Sequence, residues 1–288
     1  MVRYALEVKG IVQGVGFRPF VFRLAKELSL SGFVKNTSKG VSIEIEGPEA
    51  DCKKFIAALR QPPSLARIER LDAEKIPPTG AKYFVIQTSS AGARNTFISP
   101  DIGICADCFK DITTKENRRY RYAFTNCTNC GPRFSIVKDI PYDRANTTMA
   151  EFALCADCKR EYEDPYDRRF HAQPNACPVC GPQLFFYENG REISGDPIRL
   201  FSEAVSSGKT VAVKGVGGYH LLCDARAEAV VARLRAHKRR PAKPLAVMVS
   251  ETMLRVGDIA APTPEELALL RCAERPIVLA KKSTGSAL

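Results

Sequence analysis

VRYALEVKGIVQGVGFRPFVFRLAKEL, residues 2–28, governs the reading of the first third of the chain. Val2, Tyr4, Leu6 and Val8 alternate with Arg3, Ala5, Glu7 and Lys9, the period of a half-buried strand. A glycine-rich loop follows. Pro19 suits the first turn of a helix in which Phe20, Leu24 and Leu28 recur every four residues. Outward from there, Gly32 opens a second strand, GFVKN, and Asn36-Thr37-Ser38-Lys39-Gly40 turns the chain back. Val41, Ile43 and Ile45 alternate with Ser42, Glu44 and Glu46 in a third strand. A helix through Phe55, Ile56 and Leu59 ends before Pro62-Pro63, and strands near 66–75 and 82–88 complete the unit. The order β-α-β-β-α-β predicts a ferredoxin-like α+β fold over residues 1–90.

The loop between the first strand and helix has the composition of an anion site. In Gln13-Gly14-Val15-Gly16-Phe17 the backbone N–H groups can converge, and the following helix adds its positive end. Arg18 supplies a planar fork of donors suited to phosphate. Asn36, ending the neighbouring strand, can hold a water in line with a phosphorus. The same glycines also fit a loop that merely needs to turn.

Eight of the eleven cysteines form four C-x-x-C pairs: Cys105/Cys108, Cys127/Cys130, Cys155/Cys158 and Cys177/Cys180. The segment repeats itself every 50 residues: CADC recurs at 105 and 155, Arg118-Arg119-Tyr120 as Arg168-Arg169-Phe170, and Cys-x-x-Cys-Gly-Pro at 127 and 177. Two pairs supply the four thiolates of one closed structural zinc site, so the array predicts two zinc ions. One zinc per repeat makes each repeat self-contained; pairing the first pair with the fourth also fits. Gly131 and Gly181 follow their knuckles, where the backbone must turn under the metal. His171, whose counterpart in the first repeat is Arg121, is a surplus donor and reads as packing or a surface contact. Residues 91–190 carry thirteen acidic and thirteen basic side chains, which suits a stapled spacer or docking module better than a nucleic-acid reader. Cys52, Cys223 and Cys272 read as small buried apolar residues.

Residues 196–288 read as α/β. Asp196-Pro197 caps a helix, TVAVKG (210–215) is a buried strand, and a helix runs through Val230 and Leu234. LAVMVS (245–250) and PIVLAK (276–281) are further strands, with a capping box at Thr263–Glu266 between them. The last strand closes no sheet, so the domain reads as unfinished. Ser89-Ser90-Ala91-Gly92-Ala93 reads as a linker between the first two segments. Over the whole chain, 45% apolar and 26% charged residues fit a globular protein with a real core. No apolar run approaches the roughly 18 residues of a membrane span. The start lacks the apolar stretch of a signal peptide, and the paired cysteines suit the cytoplasm. The net charge of +11 admits nucleic acid or small anions as ligands.

The motifs carry three resemblances. G-x-V-Q-G-V-G-F-R (10–18) with G-F-V-K-N-T-S-K-G-V (32–41) is similar to the acylphosphatase family. That resemblance implies that Arg18 binds phosphate, that Asn36 orients the attacking water, and that the substrate is a carboxyl- or carbamoyl-phosphate mixed anhydride. Lys238-Arg239-Arg240-Pro241-Ala242-Lys243-Pro244-Leu245 resembles the K-x-R-P…K-P-L motif of YrdC-like domains. It implies ATP contacts by Lys238, Arg240 and Lys243. The T-D-T-x-Y-G motif of the threonylcarbamoyl-adenylate branch is replaced by Lys214-Gly-Val-Gly-Gly-Tyr219-His220.

With PYDRANTTM (141–149) and RRFHAQPNACPVCGP (168–182), the three segments resemble the N-terminal part of the hydrogenase maturation carbamoyltransferase family, HypF. The implied divisions are an acylphosphatase-like domain at 1–90, a double four-cysteine zinc finger at 94–185 and a truncated YrdC-like domain at 196–288. The implied chemistry is hydrolysis of carbamoyl phosphate, adenylation of the carbamate with ATP, and transfer to the C-terminal cysteine of a partner maturation protein, where it becomes a cyanide ligand. The family continues beyond the segments present here, so acylphosphatase activity is expected of this chain and complete transfer is not. Two other readings remain: a zinc-dependent binding module with an inactive acylphosphatase fold, and an RNA-binding YrdC-like protein.

Overall fold

The structure, a computed structural model, describes residues 1–89, 98–249, 256–286 and 288. The chain divides into two compact units, Met1–Pro182 and Gln183–Leu288. The linker expected at 89–93 falls, after Ser89, outside the described residues.

Unit 1 begins with β1 (Val2–Ile11), α1 (Phe17–Glu27), β2 (Ser31–Thr37), β3 (Gly40–Gly47), α2 (Glu49–Leu59), β4 (Arg67–Ile76) and β5 (Phe84–Ile86). The sheet order is β4-β1-β3-β2-β5. β1 and β2 both run antiparallel to β3, so their C-terminal ends lie at the same end of the sheet. Register then fixes faces: Val8 opposes Val41, and Asn36 opposes Val41 from the other side. Asn36 therefore shares the face of Leu6, Val8, Val34 and Ile43, which is buried with Val21 and Ala25 of α1 and Phe55 and Leu59 of α2. The buried side of α1 is Phe17, Val21 and Ala25; Phe20, Leu24 and Leu28, expected to lead the packing, are only partly covered. The four-residue spacing was right, but the face lies one residue round the helix.

The rest of unit 1 has little regular structure beyond α3 (Ala106–Thr113) and α4 (Ala156–Glu163). Each is eight residues long and capped by the first cysteine of its repeat, Cys105 or Cys155. The positive end of each helix thus meets thiolates. Arg121 and His171 both have positive φ (58° and 53°) and donate their N–H to Ile112 and Tyr162 carbonyls, so the 50-residue repeat extends to the backbone.

Unit 2 contains β6 (Tyr187–Glu188), β7 (Arg191–Glu192), α5 (Pro197–Ser206), β8 (Val211–Lys214), β9 (Tyr219–Leu222), α6 (Glu228–His237), α7 (Val256–Ile259) and α8 (Pro264–Arg271). Both predicted caps form. Asp196 Oδ1 accepts from Ile198 N–H at 2.9 Å, and Thr263 and Glu266 exchange side-chain and backbone bonds in a capping box. The strands correct the sequence reading. Among the described residues β8 pairs only with β9, and it is half-buried rather than buried. Residues 245–249 and 276–281 are irregular, and Met248, Ile277 and Leu279 are 86%, 81% and 78% exposed; Ser250 lies outside the described residues. A strand needs hydrogen-bonding neighbours, and the described part of unit 2 offers only two-stranded pairs. Cys52 is buried as expected, but Cys223 and Cys272 are only partly covered. No helix among the described residues is long and apolar enough to cross a membrane.

Candidate active site and metal centres

The phosphate loop leaves β1 and enters α1 through Gly14 (φ +73°) and Gly16 (φ +75°), both left-handed. Alternation of this kind turns consecutive N–H groups to one side. Among the described residues, no intramolecular acceptor engages the N–H of Gly14, Val15, Gly16, Phe17 or Arg18. The side chains of Val15 and Phe17 are core, so those residues offer only backbone. Gln13 is fully used: its Nε2 donates to the Thr37 and Gly40 carbonyls, both at 2.8 Å, and its Oε1 accepts from Tyr142 N–H at 3.0 Å. It ties the loop to the β2–β3 turn beside Asn36. The Asn36 side chain is fully buried, yet among the described residues neither its Nδ2 nor its Oδ1 has a partner. A buried carboxamide with both ends unpaired is costly, about 1–3 kcal/mol, and marks a place for a ligand or water.

The cysteine-rich segment closes over this loop. A Cβ on Gly14 would meet Pro132 at 2.8 Å and Tyr142 at 2.9 Å; one on Gly16 would touch Thr128 at 3.4 Å. Arg18 is buried and bound: its Nη2 pairs with Asp143 Oδ1 at 2.8 Å and donates to the Tyr142 carbonyl at 3.4 Å. Ser89 Oγ donates to the other Asp143 oxygen. A small cavity of about 20 Å³ remains, lined by Gly14, Gly16 and Arg18 on one part and by Asn126, His171 and Gln173 on another. His171 packs against Tyr162 in a tilted contact and edge-to-face against Phe170, at centroid distances of 5.1 and 4.7 Å. Burial first, then the nearby Arg18 charge, pushes its pKa down to about 4 against the opposing pull of Asp143, so the imidazole is neutral at pH 7. Tyr142, Asp143, Asn126 and His171 could not be assigned to this site from local pattern, because each reaches it only through docking of the two segments.

The cysteines gather as two clusters within repeats, Cys105/Cys108/Cys127/Cys130 and Cys155/Cys158/Cys177/Cys180. Sulfur–sulfur distances are 3.6 Å (Cys105–Cys127) and 3.9 Å (Cys127–Cys130) in the first, and 3.7 Å (Cys155–Cys177) and 3.8 Å (Cys177–Cys180) in the second. A tetrahedron with zinc–sulfur bonds of 2.3 Å has edges of about 3.8 Å, so the donor sets fit zinc. Gly131 turns with φ +68°, as expected. Gly181 is needed for a different reason: a Cβ there would sit 2.1 Å from Tyr122 Oη.

The repeats are not self-contained. Arg118 and Arg119 of the first donate to Cys158 Sγ of the second, at 3.3 and 3.4 Å, and both grip Glu161. Reciprocally, Arg168 donates to Cys108 Sγ at 2.9 Å, and Arg168 and Arg169 both grip Asp111. Arg119 Nε donates to the Ala176 carbonyl and Arg169 Nε to the equivalent Asn126 carbonyl. Burial raises the Glu161 carboxyl, but hydrogen bonds from Arg119 and Arg118 outweigh it and hold the pKa at about 2.

In unit 2, Lys238 caps α6 and is exposed, as is Lys243; Arg240 Nη2 donates to the Pro244 carbonyl at 2.6 Å. Arg235, which drew no notice in the sequence, organises this loop by donating to the Arg240 and Lys243 carbonyls at 3.1 and 3.0 Å.

Known proteins repeat this arrangement. Family models match for acylphosphatase at residues 4–86, the HypF finger at 104–137 and 154–187, and a Sua5/YciO/YrdC model described as telomere recombination at 203–287. An acylphosphatase of Moorella thermoacetica is 43% identical over 31% of this chain and 97% of its own length. Residues 4–86 belong to the acylphosphatase family. Across nearly its whole length the chain is also homologous to carbamoyltransferase HypF. The Rhodobacter capsulatus protein of that name is 50% identical over 97% of this chain. A crystal structure of full-length HypF in the phosphate- and nucleotide-bound form covers 98% of it with a TM-score of 0.92 and 46% identity. The chain spans 37% of the length of each of these two proteins.

Proposed function

We propose that unit 1 hydrolyses carbamoyl phosphate, with the HypF carbamoyltransferases as the setting of that reaction. What carries the reading is the pairing of five unengaged N–H groups at residues 14–18 with the buried, unpartnered carboxamide of Asn36. The backbone donors and Arg18 hold the phosphoryl oxygens, and Asn36 orients a water opposite the leaving group. Water oxygen bonds to phosphorus as the bridging P–O bond breaks; carbamate leaves with the bonding pair, and the water's proton passes to phosphate oxygen. Positioning and charge stabilisation suffice for so labile an anhydride. Asp143 must yield Arg18 to the phosphate, since both need the same donors.

The domain limits proposed are 1–90, 94–185 and 196–288. Each cysteine cluster would hold one zinc, which would staple a segment with little apolar core of its own. Lys238, Arg240 and Lys243 would contact ATP, which adenylates the carbamate for transfer to the terminal cysteine of a partner maturation protein in the cytoplasm. The test is phosphate release from carbamoyl and acetyl phosphate by the chain and by Arg18→Ala and Asn36→Ala. Loss in both variants with zinc retained supports the reading; an inactive, zinc-loaded parent chain overturns it for this chain.

A further inference from the structure

Asn126 lines the cavity that also exposes Gly14, Gly16 and Arg18 of the phosphate loop. It precedes the cluster residue Cys127, and its backbone is held because its carbonyl accepts from Arg169 Nε at 3.2 Å. Its side chain belongs to a residue only 2% exposed, and among the described residues neither Nδ2 nor Oδ1 has a partner. Asn175 of the second repeat is the contrast: its Oδ1 accepts from Arg119 and its Nδ2 donates to the Cys158 carbonyl, as buried amides ordinarily do. The finger itself does not require a carboxamide at this place, because the residue 50 positions on is Ala176, whose carbonyl makes the same backbone contact to an arginine. An orphaned amide beside a phosphate loop calls for a ligand with one donor and one acceptor next to its phosphoryl group.

We infer that Asn126 is the residue that selects a carbamoyl group over an acetyl group at the acyl-phosphate site. Its Nδ2 donates to the carbamoyl carbonyl while its Oδ1 accepts from the carbamoyl NH2, a cyclic amide pair. Acetyl phosphate keeps the carbonyl but presents a methyl group where Oδ1 needs a donor. A site built to bond a polar group discriminates against the analogue lacking it far better than an apolar pocket could. The first cysteine repeat thereby supplies a part of the site that the ferredoxin-like domain lacks. This inference rests on the hydrolase reading above, and its test separates the two.

The test is calorimetric binding of phosphonoacetamide and 2-oxopropylphosphonate, non-hydrolysable mimics of carbamoyl and acetyl phosphate, to the zinc-loaded chain and to Asn126→Leu. The intact chain is expected to prefer the carbamoyl mimic by about tenfold or more, and the variant to lose that preference while retaining two zinc ions. Equal Kd values for the two mimics in the intact chain overturn the inference even if the variant fails to fold. So does a preference that survives in Asn126→Leu, or binding of neither mimic. Turnover of both acyl phosphates with no preference would leave the hydrolase reading standing and remove only the role of Asn126.

Discussion

Arg119→Ala is the sharpest perturbation of the cysteine-rich segment. The Arg119 side chain is 2% exposed. It donates to the Ala176 carbonyl at 2.9 Å, to both Glu161 oxygens at 2.9 and 2.6 Å, to Asn175 Oδ1 at 3.0 Å and to Cys158 Sγ at 3.4 Å. Removing it takes one of two arginines from a partly buried carboxylate whose pKa it helps hold at about 2. Truncating one partner of a buried ion pair costs about 3–5 kcal/mol. Arg118, 2.7 Å from Glu161, remains to compensate, which places the expected loss near the bottom of that range, about 3 kcal/mol. For a unit of this size that lowers Tm by roughly 6–12 °C. The lost N–H···S bond touches only Cys158, so the second zinc should leave to a chelator faster than the first. Thermal unfolding and chelator-driven zinc release, compared with Arg119→Lys, measure both effects. A variant within about 1 kcal/mol of the parent, releasing both zincs at parental rates, would refute the reasoning that the repeats are locked through each other's arginines.

Asp143→Asn should free the Arg18 fork and tighten binding of inorganic phosphate by roughly threefold to tenfold, read by calorimetry; weaker binding would mean that Asp143 positions Arg18 rather than competing for it. His171 should titrate near pH 4 by NMR, against 6.5 when unfolded. Because the folded value is the lower one, its contribution to stability is present above pH 6.5 and is lost as pH falls toward 4; a ring that titrates near 6.5 contradicts the burial argument. Stripping zinc should unfold the cysteine-rich segment while the ferredoxin-like core survives, so that the unfolding enthalpy of unit 1 falls but the core still melts cooperatively, because the first cluster packs around cysteines whereas residues 1–86 hold a large apolar core. A single unchanged transition after complete zinc removal would count against this.

What the sequence by itself determined is whatever depends on near neighbours. Alternation along residues 2–9 and 41–46 reflects the two-residue pleat, Asp196 and Thr263 cap because their oxygens reach N–H groups two or three residues on, and Gly14 and Gly16 supply left-handed backbone between a strand and a helix. The C-x-x-C pairs belong to this class, since two thiolates that close together share one metal. The tertiary structure decided the rest. Among 43 cationic and 32 anionic side chains, no local rule pairs Arg18 with Asp143 or crosses Arg119 to Glu161 and Arg169 to Asp111. Those partners meet because one surface of unit 1 docks on another, where burial strips away water and makes each unpaired group costly. The same dependence explains the errors at 245–249 and 276–281. Their apolar runs satisfy a strand's side chains, but a strand also requires neighbours for its backbone, and only the assembled sheet can provide them.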